Sequence, residues 1–267
     1  MGITLPPPLR SVTVRHLRLA SGQVMWLYIC AHFLNHSLGL ISLGVAEAAL
    51  KVAAAAWQSL PGTVLLYGAF ATHVSLALYG LHQRHTLRLP PLELARIVFG
   101  LTIPLLLFGH VVATRIAYEW YGAAAQYQRV VSSLARDGST GWQLALLAPG
   151  WLHGCMGLNV ALRHRAWYQR WRAALLALVV VLPLLAAAGY WAMVRDVAAL
   201  GAGIAGPASS LPTLAGAAQR QVLAELRVML LTGYLSLLAL VLGSRFWRDW
   251  RSWRTALRSH APGRDTL

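Results

Sequence analysis

Ten histidines occur in this chain of 267 residues, and five of them fall inside long apolar segments. His32 and His36 share one segment, and His73, His110 and His153 occupy three more. An ionisable side chain at membrane depth costs free energy unless something binds it, so each of these imidazoles is a candidate ligand. Neutral imidazole is also the commonest protein ligand of metals. The richest setting is Trp151-Leu152-His153-Gly154-Cys155-Met156-Gly157-Leu158. Gly154 and Gly157 remove side chains near His153 and leave room for a flat ligand or a close helix. Four segments that each offer an imidazole to one bundle read as a haem site.

The elements that must carry these residues are membrane helices. Mean hydropathy is +0.55 and only 12% of residues are charged, which removes soluble globular classes. Six segments reach the length of about 20 residues that a membrane requires. They are roughly 20–43, 62–82, 96–117, 142–162, 173–194 and 226–244. The reading is all-α: a polytopic membrane protein of six transmembrane helices, the first four a haem-binding bundle and the last two flanking it. Pro104, Pro149 and Pro183 fall inside these segments, where proline is tolerated.

Charge sets the expected orientation. The N-terminal tail, the 82–96 loop, the 163–172 loop and the C-terminal tail hold 16 of the 23 Lys and Arg residues. By the positive-inside rule both termini are cytoplasmic. The net charge of +15 is then explained by topology and lipid headgroups, with no nucleic acid as partner. Three divisions follow: a cytoplasmic tail over 1–18, a dihaem membrane domain over 19–244, and a basic tail or linker to an output domain over 245–267. The Ala-rich 44–61 connection suits a short interfacial helix with Trp57 as anchor. The aromatics Trp120, Tyr121 and Tyr127 of the 118–141 connection suit the headgroup belt. Residues 195–221 read as a flexible loop.

Two cysteines, Cys30 and Cys155, and no C-x-x-C-H run exclude covalent c-type haem and an iron–sulfur cluster held by this chain alone. His16, His82, His85, His164 and His260 lie at helix ends or in cytoplasmic segments and read as solvated. No Asp or Glu lies centrally in any span, which argues against a carboxylate-based transporter.

Depth pairs the remaining histidines. At ~1.5 Å per residue, His73 lies about 16 Å above Arg84 and His153 about 15 Å above Arg163. On the same scale His110 lies about 21 Å above Arg96 and His32 about 20 Å above Leu19, with His36 some 6 Å higher. Two haems are expected, an inner one between His73 and His153 and an outer one between His32 and His110, with His36 as the alternative to His32. Two imidazoles per iron leave no open position, which favours electron transfer. Arg115, Arg84 and Arg163 are candidates for haem propionates, with headgroup contact as the alternative for Arg115. Tyr28, Asn35, Ser37 and Trp151 either line a quinone pocket or pack.

These residues resemble the dihaem cytochrome b membrane anchors of the succinate dehydrogenase and fumarate reductase superfamily. The likeness rests on Ser21-Gly22 ahead of His32, on His73 within Ala-Phe-Ala-Thr-His-Val-Ser-Leu, on Phe108-Gly109-His110 and on Leu152-His153-Gly154-x-x-Gly157-Leu158. A closer resemblance is to the six-helix N-terminal anchor of bacterial class III adenylate cyclases. It is carried by His32-x-x-Asn35-His36, by Pro61-Gly62-Thr63-Val64-Leu65-Leu66-Tyr67-Gly68 and by His110-Val111-Val112-x-Thr114-Arg115. That resemblance implies two b-type haems, exchange with quinone or quinol, a cytoplasmic cyclase or iron–sulfur domain as partner, and a redox-sensing role. It also implies a bacterial inner membrane and admits a homodimer, for which the sequence shows no dimer face. The competing readings are an electron-transfer subunit of a quinone-linked oxidoreductase, a histidine-relay proton or ion transporter, and a zinc or copper site.

Overall fold

The computed structural model describes residues 7–84, 86, 88–123, 125–136, 140–203 and 216–259. Among them the chain is helical, with no strand. Ten α-helices follow one another: α1 (Pro7–Ser37), α2 (Leu43–Trp57), α3 (Leu60–Gln83), α4 (Pro91–Val111), α5 (Ala117–Tyr121), α6 (Tyr127–Arg136), α7 (Thr140–Leu162), α8 (Ala166–Arg170), α9 (Arg172–Gly203) and α10 (Ala217–Ser259). A 3₁₀ turn, Leu38–Leu40, ends α1, and a π segment, Val112–Ile116, joins α4 to α5.

Five stretches are long and apolar enough to cross a membrane: Leu60–Gln83, Pro91–Tyr121, Thr140–Leu162, Arg172–Leu200 and Ala217–Thr255. The chain is a membrane protein on that basis. Exposed side chains agree: Leu184 is 64% and Leu240 70% exposed, an apolar surface suited to lipid rather than water. The first expected span, 20–43, is not among the five. Gln23, His32, Asn35 and His36 dilute its hydropathy, and its helix stops at Ser37.

Other boundaries also move. The expected N-terminal tail is helical from Pro7, and α10 runs unbroken through the expected tail to Ser259. α9 continues to Gly203, well into the expected 195–221 loop, of which 204–215 lie outside the described residues, as do His85 and His260. The helices α4, α7 and α9 run through Pro104, Pro149 and Pro183. Ser42 and Ser59 cap α2 and α3, their hydroxyls accepting from the N–H groups of Val45 and Gly62.

Two helix pairs organise the bundle. α1 packs along α3 and α9, and α4 packs along α7, while α3 makes slight or no backbone contact with α4 or α7 among the described residues. The α1–α9 crossing is close because two glycines meet: a Cβ on Gly39 would lie 2.5 Å from the carbonyl of Gly189. Trp151, 2% exposed, fills the space between α1, α7 and α9 with Phe33, Leu182 and Ala186. On one side α6 folds back so that Tyr127, Val131 and Leu134 pack against Ala46, Tyr190 and Met193. Tyr127, expected at the headgroups, is therefore inside the protein, whereas Trp120 remains 55% exposed.

Candidate functional site

The four helices α1, α3, α4 and α7 bring the five intramembrane histidines together as two groups. His73 and His153 face each other with ring centres 6.1 Å apart and planes at 87°. His32 and His110 do the same at 5.8 Å and 76°. A metal–imidazole bond is about 2 Å long, so two imidazoles trans across one iron have ring centres on the order of 6 Å apart. These are the pairs that depth along each segment gives. They reach from the α1/α3 pair to the α4/α7 pair, across which α1 packs on α7 but α3 makes slight or no backbone contact with α4 or α7 among the described residues.

On three of the four paired rings the nitrogen turned away from the pair is anchored. His73 Nδ1 lies 3.1 Å from the carbonyl oxygen of Arg18 and 3.4 Å from the Ser21 hydroxyl, which itself donates to Leu17. His153 Nδ1 lies 2.9 Å from the carbonyl of Arg96, and His110 Nδ1 lies 2.9 Å from Oε1 of Gln143. A carbonyl or amide oxygen only accepts, so each Nδ1 carries the proton and each Nε2 keeps its lone pair for a ligand. Ligating histidines almost always show this arrangement. None of Arg18, Arg96 and Gln143 stood out in the sequence. A main-chain acceptor leaves no signature there, and one glutamine near a helix start looks like an interfacial residue.

His36 adds a third imidazole to the outer group. Its Nε2 lies 3.1 Å from Nε2 of His32, with ring centres 4.5 Å apart, and its buried Nδ1 has no hydrogen-bond partner among the described residues. His36 packs edge-on against Tyr127 and Tyr190. It is His32, not His36, that stands opposite His110 at the spacing of a trans pair. Tyr28 stacks on His32 at 5.8 Å, with Trp57 edge-on behind it.

Glycines make room beside the inner rings. A Cβ on Gly100 would stand 2.6 Å from Cε1 of His153, and one on Gly22 3.1 Å from Cε1 of His73. Gly154, expected to leave room for a flat ligand or a close helix, does the second: it admits Trp26 of α1, which a Cβ there would meet at 2.7 Å. Trp26 in turn stacks on Trp151. The depth of Gly154 was readable, but its helix face was not.

The other expected residues are engaged elsewhere. Arg115 donates to the Thr63 hydroxyl at 2.8 Å and pairs with Glu119 at 2.6 Å, with Tyr67 and Tyr118 under its guanidinium. Arg84 pairs with Glu93, which Arg96 also approaches at 3.8 Å. Arg163 is exposed and donates to His164. Of the four residues weighed for a quinone pocket, Trp151 donates to the Val179 carbonyl at 2.7 Å and Ser37 to that of Leu34, both structural bonds. Asn35 donates to the Tyr127 hydroxyl at 2.7 Å, tying α1 to α6.

That last contact lies in a buried polar layer over the outer histidines. The Gln128 N–H donates to Glu47, and Arg129, 4% exposed, is attracted to the same carboxylate. Burial lifts the Tyr127 phenol well above its ordinary value, with the Asn35 bond opposing. A raised acid pKa keeps the hydroxyl neutral in the folded state, while an unfolded tyrosine ionises near pH 10. Tyr127 therefore contributes stability that is fully present below about pH 10 and is lost as pH rises above it. The Tyr127→Phe protein is expected to lose stability less steeply between pH 9 and 11 than the parent. Parallel melts in detergent across that range check it, and identical slopes would refute it.

No group of three or more His, Cys, Asp or Glu side chains suited to holding one metal ion occurs among the described residues. A haem does not need one, because its macrocycle supplies four ligands and the protein only the axial pair. The paired spacing, the Nε2 atoms of His73, His110 and His153 and the glycines beside the inner rings fit that group, while Nε2 of His32 is turned to Nε2 of His36. No protein-family model, curated protein or solved structure matches the chain.

Proposed function

We propose that the protein is a b-type dihaem membrane cytochrome, with His73 and His153 holding an inner haem and His32 and His110 an outer one. The observation that carries this reading is the two imidazole pairs with ring centres 6.1 and 5.8 Å apart, with Nδ1 of His73, His153 and His110 engaged by acceptors. Haem b supplies one-electron exchange between ferric and ferrous iron. The chain's part would be to present the paired imidazoles to the iron, to exclude water with Trp26, Phe33 and Trp151, and to keep His73, His153 and His110 in one tautomer.

The six-span topology with α1 as the first span, both termini cytoplasmic, and residence in a bacterial inner membrane belong to the same proposal. So do electron exchange with the quinone pool and a regulatory role toward a cytoplasmic cyclase or iron–sulfur domain. The support for these is the resemblance of His32-x-x-Asn35-His36 and Leu152-His153-Gly154 to dihaem anchors, together with the distribution of arginine.

The test is an absorption spectrum of detergent-purified protein, oxidised and dithionite-reduced, with non-covalent haem extracted and counted. About two haems per chain are expected, low-spin and unmoved by carbon monoxide, as two imidazoles per iron require. A colourless protein that cannot be reconstituted would end the reading. The histidine-relay transporter would then be tested by proton flux in liposomes.

A further inference from the structure

His73, His153 and His110 each turn Nδ1 to an oxygen, and only at His110 does the nearest of them belong to a side chain. His73 and His153 use the main-chain carbonyls of Arg18 and Arg96. His110 uses Oε1 of Gln143, 33 residues away on α7. The backbone of His110 is fixed separately: its carbonyl accepts the Thr114 hydroxyl at 2.6 Å, within the π segment that follows. The orientation and proton of the His110 ring thus rest on Gln143.

We infer that Gln143 is a positioning residue that sets the basicity of His110, and with it the redox potential of the outer site alone. This rests on the dihaem reading. An acceptor on Nδ1–H pushes electron density toward Nε2, makes the imidazole a stronger donor and favours the ferric state. Removing the acceptor weakens the ligand, and a stronger acceptor does the reverse. The inner pair responds to neither change, since its acceptors are main-chain atoms on α1 and α4. α7 therefore carries an inner ligand at His153 and the outer tuning group at Gln143.

The experiment compares the full-length parent with Gln143→Leu and Gln143→Glu by redox titration and by electron paramagnetic resonance of the ferric haems. A His73→Ala protein identifies which signals are the inner haem's. Gln143→Leu is expected to raise the outer potential and to weaken outer haem retention about 10- to 100-fold, the usual effect of losing such a partner. Gln143→Glu is expected to restore retention and lower the potential, with the inner haem unmoved in both. Opposite shifts are the signature of tuning, which a purely structural glutamine does not produce. Unchanged potentials, shifts of the same sign, or loss of one haem in both variants would overturn the inference while leaving the dihaem reading intact. A parent without haem would overturn that reading instead.

Discussion

Replacing either His73 or His153 by alanine is expected to halve the haem content, from two per chain to about one, because an iron that needs two axial imidazoles loses one of them. The remaining haem should keep its low-spin spectrum. The ligands proposed for it, His32 and His110, share no ring contact with the inner pair, and His110 is anchored through a separate partner, Gln143. The two single variants should give the same spectrum as each other, since each removes one side of the same pair. His164→Ala provides the control, an exposed imidazole on the α7–α8 connection that should leave both haems in place. Extracted haem per chain, measured with elution volume to verify folding, decides the matter. Unchanged content in both His73→Ala and His153→Ala would show that the pair does not hold iron.

A second large effect is expected where no ligand is involved. At Gly189 an added Cβ would collide with the main-chain carbonyl of His36 and stand 3.0 Å from Cα of Ser37, neither of which can swing aside. Gly189→Val should therefore pry α9 from α1 at a cost of about 3 kcal/mol or more, the upper end for overpacking. At this chain length that corresponds to a fall in melting temperature on the order of 10 °C. Gly68→Ala, where a Cβ meets nothing within 4 Å, should be close to neutral. Because the obstructed backbone is that of His36, Gly189→Val should also disturb the outer site more than the inner one. Equal melting temperatures for the two variants would mean that the α1–α9 contact is not tight in solution.

Much of this arrangement could be read before any coordinates. Histidine within an apolar run reports its own depth, and depth alone pairs His73 with His153 and His32 with His110. What spacing along one segment omits is rotation about the helix axis and the angle between helices. Gly154 has the depth of a glycine serving His153, yet it faces Trp26, while Gly100 on α4 faces the ring. Gln143 lies ten residues from His153, about 15 Å along α7, and reaches His110 only through the way α4 and α7 lie together. α6 was misread for another reason: aromatic residues between spans suit headgroups by composition, and only tertiary packing shows Tyr127 buried beside Tyr190. Five of the six expected spans stand out by length and hydropathy and α1 does not, because hydropathy counts polar residues equally whether they face lipid or other helices, and α1 carries Gln23, His32, Asn35 and His36.

The last helix has a mechanical consequence. At 43 residues α10 is about 65 Å long, roughly twice the thickness of a bilayer's hydrocarbon core. It is fastened to the end of α3 at one place, where Arg245 and Arg248 both donate to the carbonyl of Arg84 and Ser244 meets His82. That point divides the rod into arms of about 43 and 20 Å. The longer arm is held along its length, with Leu223 packed on Val112 and Ala117 and the Tyr234 hydroxyl bonded to the Leu101 carbonyl. The shorter arm runs on past the clamp, so a push on it meets its resistance where two arginines grip one carbonyl oxygen at the mouth of the helix that carries His73.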